Sequence, residues 1–322
     1  MAVYTEVSDE ELVQFMSAYD LGDVVSCKGI AEGIENSNYL LTMSSGSFIL
    51  TLYEKRVDPR DLPFFLGLLD HLSERGVPCP LPVRAQDGEA LRVLAGKPAA
   101  VVTFLPGMWP RRVSPGHCAE VGRALAAMHL AGEGYAGTRD NALSVGAWRP
   151  LLESAGPEVD RVQMGLDVKL RRDLDEIETA WPEDLPRGII HADLFPDNVF
   201  FRGEELTGLI DFYFACRDFL VYDLAVCLNA WCFEADYSFN ITKARRLVME
   251  YARVRPMDQN EIAALPLLAR GAAMRFLLTR LYDWLNTPPG ALVTPKDPME
   301  YVAKLRFHER VQSAGEYGLD VA

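Results

Sequence analysis

Apolar and polar positions change period several times along the chain, and each change marks a predicted element. Leu12, Phe15, Met16 and Tyr19 fall on one face of a helix. Ser8 and Glu11 form a capping box at its start, where each side chain can satisfy the other residue's backbone amide. The period then shortens to two. The stretch NYLLTMSSGSFILTLYE (38–54) predicts two strands around a Ser44-Ser45-Gly46 turn. DLPFFLGLLDHLSERG (61–76) predicts a helix ending at Gly76, and the rigid VPCPLPV follows it. A second hairpin is predicted through GEALRVLAGKPAAVVTFL (88–105), turning at Gly96.

Past Pro106-Gly107 the helical period dominates. Ser114-Pro115 supplies the N-cap and first residue of a helix with Val121, Leu125 and Met128 on its stripe. Further helices are predicted over 158–180, 218–233, 241–253, 258–285 and 297–313, the last opened by Asp297-Pro298. The whole predicts an α+β, bilobal protein. A small antiparallel sheet forms the N-lobe (residues 1–105), a hinge lies near 103–107, and a mainly helical C-lobe follows (residues 106–322). Ligands favour the cleft between two such lobes.

Composition narrows the partners. The 322 residues carry a net charge of −14 with no basic run, which disfavours nucleic acid and anionic membranes. The N-terminus MAVYTEVSDEELVQF lacks an apolar signal core, and no membrane-spanning window is expected. Six cysteines are scattered without a CxxC pair. They read as free thiols in a reducing cytoplasm rather than zinc ligands.

The chemistry concentrates in GIIHADLFPDNVFF (188–201). GII and NVFF read as strands, so His191, Asp193, Asp197 and Asn198 lie on the loop between them. A turn at Arg202-Gly203-Glu204 leads into a second strand ending in LIDF, which delivers Asp211. Three oxygen-bearing side chains, on Asp193, Asn198 and Asp211, thus converge. Such a set suits Mg²⁺ beside a nucleotide. The order is that of a phosphotransferase: an aspartate that takes the acceptor's proton, an asparagine five residues on that binds metal, and a second aspartate that bridges metal and phosphates. The competing reading is that Asp193 and Asn198 only hydrogen-bond a tight loop. His191 reads as an orienting residue packed beneath the loop.

HADLFPDNVFF, GLIDF and YDLAVCLNAW together resemble the aminoglycoside phosphotransferase and choline kinase superfamily, relatives of the protein kinases. VGRALAAMH (121–129) and RGVPCPLPV (75–83) agree with it. GIAEGIENSNYLLTMSSGSFILTLYE (29–54) and DLPFFLGLLDHL (61–72) resemble its homoserine-phosphorylating branch, which serves threonine biosynthesis. No Walker A sequence is present.

The resemblance implies a protein-kinase-like fold, ATP and Mg²⁺ as cofactors, and L-homoserine as acceptor. Asp193 would be the base, with His191 beside it; Asn198 and Asp211 would bind the metal. The loop from Gly29 to Asn38, with Asn36 and Asn38, would cover the phosphates. Thr103, Phe104 and Leu105 would meet adenine, and Asp223 would support the catalytic loop from a helix start. One departure stands out: the strand lysine expected of a kinase is replaced by Thr51, and Phe64 and Phe65 stand where its glutamate partner would fall. Lys55, roughly 13 Å further along the strand, or Arg56 is left to reach a phosphate, unless it is only a solvated charge.

For the acceptor's carboxylate, Arg270, Arg275 and Arg280 lie on one predicted helix. Arg275, amid Met274, Phe276 and Leu277, is the one expected to point inward, if it does not pair with acids at the surface. Glu32 or Glu234 could meet the ammonium. Trp231, Phe233 and Tyr237 read as core more readily than as an aromatic cage. Two further readings stay open: a kinase of a sugar, choline or aminoglycoside, and a nucleotide-binding pseudokinase.

Overall fold

The computed structural model describes residues 4–30, 36–54, 58–288 and 294–319. Helix α1 (Asp9–Met16) starts at the expected capping box, with Ser8 accepting from the Glu11 amide. Strands β1 (Val24–Gly29), β2 (Ser37–Met43) and β3 (Gly46–Leu52) follow, then α2 (Leu62–Ser73), β4 (Leu91–Leu94) and β5 (Lys97–Thr103). The five strands form one antiparallel sheet in the order β1-β2-β3-β5-β4. The β4–β5 turn places Ala95 at φ 49 and Gly96 at φ 73. Two successive positive φ values match the turn's twist to that of the strands.

Alternation along the strands gives the sheet two different faces. Leu50, Leu52, Ala99 and Val101 pack with Leu12, Phe15 and Met16 of α1 in one core cluster. Ala100 and Tyr53 belong to the other cluster, with Leu62, Phe65, Leu68 and Leu72 of α2, and that cluster runs on into the helical part of the chain.

That part comprises α3 (Pro115–Ala131), α4 (Trp148–Ala155), α5 (Leu166–Ala180), β6 (Arg187–Ile190), β7 (Val199–Arg202), β8 (Glu205–Leu209), β9 (Cys216–Phe219), α6 (Leu220–Trp231), α7 (Ile241–Val254), α8 (Gln259–Asn286) and α9 (Met299–His308). Helix α6 is buried on nearly every face. The β7–β8 hairpin turns at Gly203-Glu204, as the pattern predicts.

Several boundaries differ from expectation. The helix expected over 158–180 begins at Leu166, because 156–161 is a 3₁₀ stretch, and α4 precedes it unpredicted. Residues 216–219, partly assigned to a helix from the sequence, form β9 and pair with β6. A four-residue strand paired 32 positions away (Arg187 with Phe219) carries no local signature. Helix α9 ends at His308 rather than at residue 313. Helix α8 is long and apolar enough to cross a bilayer, which the sequence reading did not expect. Its Leu265, Leu268, Ala272 and Leu277 instead pack in the larger core.

Helices α3 and α7 cross closely at Gly122. A Cβ there would sit 2.2 Å from the carbonyl oxygen of Leu247, a backbone atom that cannot swing aside. Gly122→Ala should therefore destabilise the fold by about 1–3 kcal/mol, the cost of overpacking a tight interior. Chemical denaturation measures this, and an unchanged midpoint would contradict the close crossing.

Candidate active site

The His191–Asn198 loop leaves β6 and enters β7 with two amides and two carbonyls held from below. The Asp223 carboxylate, fully buried on the first turn of α6, accepts from the amides of His191 (2.6 Å) and Ala192 (2.8 Å). Its third donor is His129 Nε2 at 3.1 Å. Burial alone would raise this carboxyl, but His129 and the amide of His191 outweigh it and hold the group below its usual range. His129 Nδ1 in turn meets the Tyr251 hydroxyl at 2.8 Å, which accepts from Arg255 (3.2 Å). The brace beneath the loop thus extends to α7.

Two carbonyls of the loop are also held. Arg275 Nη1 donates to Ala192 (2.6 Å), and Trp231 Nε1 donates to Leu194 (2.7 Å). Ala192 adopts φ 63, a strained region for a non-glycine residue, and the bonds on either side of it keep it there. His191 packs under the loop with Nδ1 accepting from the Asp193 amide (3.3 Å) and Nε2 donating to the Ile210 carbonyl (3.0 Å), the tautomer that the network assigns. Burial lowers its pKa, so the ring is neutral.

The same bond from His191 ties the loop to the end of β8. Ile210 also donates its amide to the carbonyl of Asn198 at 3.0 Å, which brings Asp211 beside Asn198. Asp211 itself sits at φ 63, a conformation aspartate tolerates better than most residues. Asn198 Nδ2 donates to the Asp193 carbonyl (2.9 Å) and lies 3.4 Å from Asp193 Oδ2. That leaves Oδ1 as the acceptor end of the amide. Burial pushes the Asp193 carboxyl up to about 6; the Arg275 charge opposes this and Asp197 adds to it.

Asp193, Asn198 and Asp211 open into one cavity of about 1470 Å³. Asn36, Asn38, Thr103, Phe104 and Leu105 line it too. Eight of the expected site residues are therefore brought together. His191 and Arg275 lie beneath the loop instead and do not line the cavity. For Arg275 this corrects the expected substrate contact: the side chain is buried off the cavity, its Nη1 donates to the Ala192 carbonyl, and its guanidinium sits over the Phe276 ring at 4.1 Å. Glu32, Lys55 and Arg56 fall outside the described residues. Trp231, Phe233 and Tyr237 do not line the cavity, and Phe233 packs on Phe239 and Phe307.

Thr51, at the position of the absent strand lysine, lines the cavity and donates to Asn38 Oδ1 at 2.8 Å. The space toward α2 is aromatic rather than ionic. Tyr213 meets Tyr53 and Phe65 edge to face, with ring centroids 5.5 and 5.7 Å apart. The polar groups there are the hydroxyls of Tyr213 and Tyr53, which meet at 3.5 Å. A cation reaches the cavity wall from another strand: Lys97 at the start of β5, paired with Glu54 at 2.8 Å. Sequence reasoning passed over this pair, because the two residues meet only through the β3–β5 register. On the far wall it missed Phe195 and Lys296, and it weighed Arg280 but set it aside for Arg275.

An amide oxygen and carboxylates gathered at one cavity wall are a hard-oxygen donor set that fits Mg²⁺ alongside phosphate oxygens. Among the described residues no cluster of three or more His, Cys, Asp or Glu side chains is poised to hold a metal by itself. An ion held here would complete its shell with water and phosphate oxygens.

Known proteins agree with this architecture. The homoserine kinase of Rhodospirillum rubrum is 64% identical to the chain over 99% of both sequences. That of Bradyrhizobium diazoefficiens is 63% identical over 99% of this chain and 98% of its own. Among solved structures, an amicoumacin kinase superposes with a TM-score of 0.67 at 17% identity, covering 94% of this chain and 92% of its own. A choline/ethanolamine kinase family protein from Mesorhizobium loti does so with 0.64 at 14% identity, over 96% and 97% of the two chains. At such identities the likeness speaks for the fold, which is the expected α+β, protein-kinase-like one. A profile of the phosphotransferase enzyme family matches residues 26–257, well over half of the chain. The chain therefore belongs to the phosphotransferase enzyme family.

Proposed function

We propose that the protein is an ATP-dependent kinase that transfers the γ-phosphoryl group to the hydroxyl of L-homoserine, yielding O-phospho-L-homoserine on the route to threonine. The convergence of Asp193, Asn198 and Asp211 on one cavity wall supports the reaction class. The near-full-length identity to two homoserine kinases supports the acceptor. Residues 1–105 cover the nucleotide in this reading, and residues 106–322 supply the catalytic loop and acceptor site.

Asn198 and Asp211 would hold Mg²⁺, which when bound offsets charge on the phosphates. Thr103, Phe104 and Leu105 meet the adenine end. Asn36, Asn38 and Lys97 face the phosphate end, where Lys97 supplies the cation that Thr51 does not. Asp193 aligns the acceptor hydroxyl and takes its proton late, since a free alcohol is far too weak an acid to lose it beforehand. Asp223 is a positioning residue: it fixes the backbone from which Asp193 projects.

A coupled ADP-release assay with Mg²⁺ tests the reading. Turnover is expected with L-homoserine. Turnover with choline or an aminoglycoside but none with L-homoserine would reject the acceptor, and no ADP release with any alcohol would make the protein a pseudokinase. Asp193→Asn should lose at least about a hundredfold in kcat while ATP still binds, in line with general-base contributions.

The elevated carboxyl sets the pH dependence. Asp193 is active as the base only when deprotonated, so kcat/KM should fall as pH drops through about 6. A profile flat down to pH ~5 would remove the argument from burial. Asp223→Asn offers one acceptor oxygen where three donors converge and turns an NH₂ toward an amide. It should cost about 3–5 kcal/mol of stability and lower kcat more than it raises the KM for ATP. Wild-type midpoint and kcat in that variant would falsify the bracing role.

A further inference from the structure

Beyond Asp193 the cavity runs along α8 and the segment before α9, where Phe195, Phe276, Arg280, Asp283 and Lys296 line it. Asn36, Asn38 and Thr51 belong to the β2–β3 wall, so the α8 side is the one left for the acceptor. Arg280 is buried along its stem. Its Nη1 donates to the Asp297 carbonyl (3.2 Å) and to Glu300 Oε2 (2.5 Å). Glu300 is shared: its Oε1 accepts from Lys304 Nζ at 2.6 Å. Lys304 is buried and also donates to the Asn229 carbonyl at 2.8 Å.

Two cations therefore stand against one carboxylate, and the surplus positive charge surfaces where Arg280 meets the cavity. Burial lowers Lys304, yet its ammonium has both a carboxylate and a carbonyl to donate to, so the charged form is the one this geometry fits. Among the described residues, Nε and Nη2 of Arg280 have no partner. Those two nitrogens form the side-on edge of the guanidinium, which matches the two oxygens of a carboxylate.

A second observation lies beside the first. The guanidinium of Arg280 stacks 4.5 Å over the ring of Tyr301. The hydroxyl of Tyr301 is buried and has no hydrogen-bond partner among the described residues; burial pushes it up, and the charges of Arg280, Glu300, Asp193 and Arg275 act on it as well. Three residues on from Arg280 on the same helical face, Asp283 supplies the opposite sign at the cavity wall. Arg275 cannot take this part, being committed to the loop carbonyl.

We propose, resting on the homoserine-kinase reading, that Arg280, held by Glu300 and Lys304, binds the α-carboxylate of the acceptor and so selects amino acids over simple amino alcohols. The discriminating probe is 3-aminopropan-1-ol, which is homoserine without its carboxylate. The wild-type protein should prefer L-homoserine over it by at least about tenfold in kcat/KM. Arg280→Gln should raise the KM for L-homoserine about 10–100-fold, the loss of a charge-assisted contact, with a smaller change in kcat. The preference over the amino alcohol should collapse by the same factor, and Arg280→Lys should recover part of it.

If the amino alcohol turns over too slowly to follow, a thermal-shift titration with L-homoserine reads the same loss of affinity. A variant that keeps the wild-type preference, or loses both substrates in equal measure, would overturn the carboxylate role. A wild-type protein that turns over other alcohols but not L-homoserine would instead overturn the homoserine reading, so the two failures are separable.

Discussion

The site depends on one buried charge. Asp223 sits in the core on α6, where an uncompensated carboxylate would cost several kcal/mol after relaxation. Three donors meet it, two loop amides and His129. Charge-assisted bonds are each worth about 1.5–3 kcal/mol net, so the three together offset a penalty of that size and any two leave it close. The interaction is thus stable only when the His191–Ala192 backbone lies on top of it. That requirement turns a flexible loop into a fixed platform and imposes the positive φ of Ala192.

The remaining contacts complete the constraint rather than duplicate it. Trp231 and Arg275 hold carbonyls, whereas Asp223 holds amides, so both polarities of the loop backbone are satisfied without water. His191 then links the loop to Ile210, and the Ile210 amide links back to Asn198. Asp193, Asn198 and Asp211 owe their common wall to backbone bonds below them, together with the bond from the Asn198 amide to the Asp193 carbonyl. Their side chains remain open to the cavity, where they can meet a phosphate, a metal and an alcohol.

Across the cavity, charge is arranged by end. The β-sheet wall carries Lys97 with Glu54, and the α8 wall carries Arg280 with Glu300 and Lys304. Each cation is steadied by a carboxylate that it does not wholly consume. Where a kinase-like protein would put a lysine and a glutamate between strand and helix, this chain puts Tyr53, Phe65 and Tyr213. The aromatic cluster joins the sheet to the helical part through packing, so the phosphate cation has to come from elsewhere on the wall.

Local signals settled much of this from the residues alone. The Ser8–Glu11 capping box, the two-period strands of residues 38–54 and the Ser114-Pro115 start are short-range effects, and each holds in the fold. So does the spacing of Asp193, Asn198 and Asp211, because a loop and a hairpin between strands leave little freedom. The place of Asp223 under the loop came with the family resemblance, and its bonds to the His191 and Ala192 amides agree with it. The strand β9, the Lys97–Glu54 pair and the choice of Arg280 over Arg275 were not legible in the sequence. Arginines five positions apart on one helix point about 140° apart at 3.6 residues per turn, and sequence cannot say which direction holds the cavity. Only the packing of α8 against the loop and α9 decides it: Arg275 is turned to a carbonyl that must be satisfied, and Arg280 is left facing the open space.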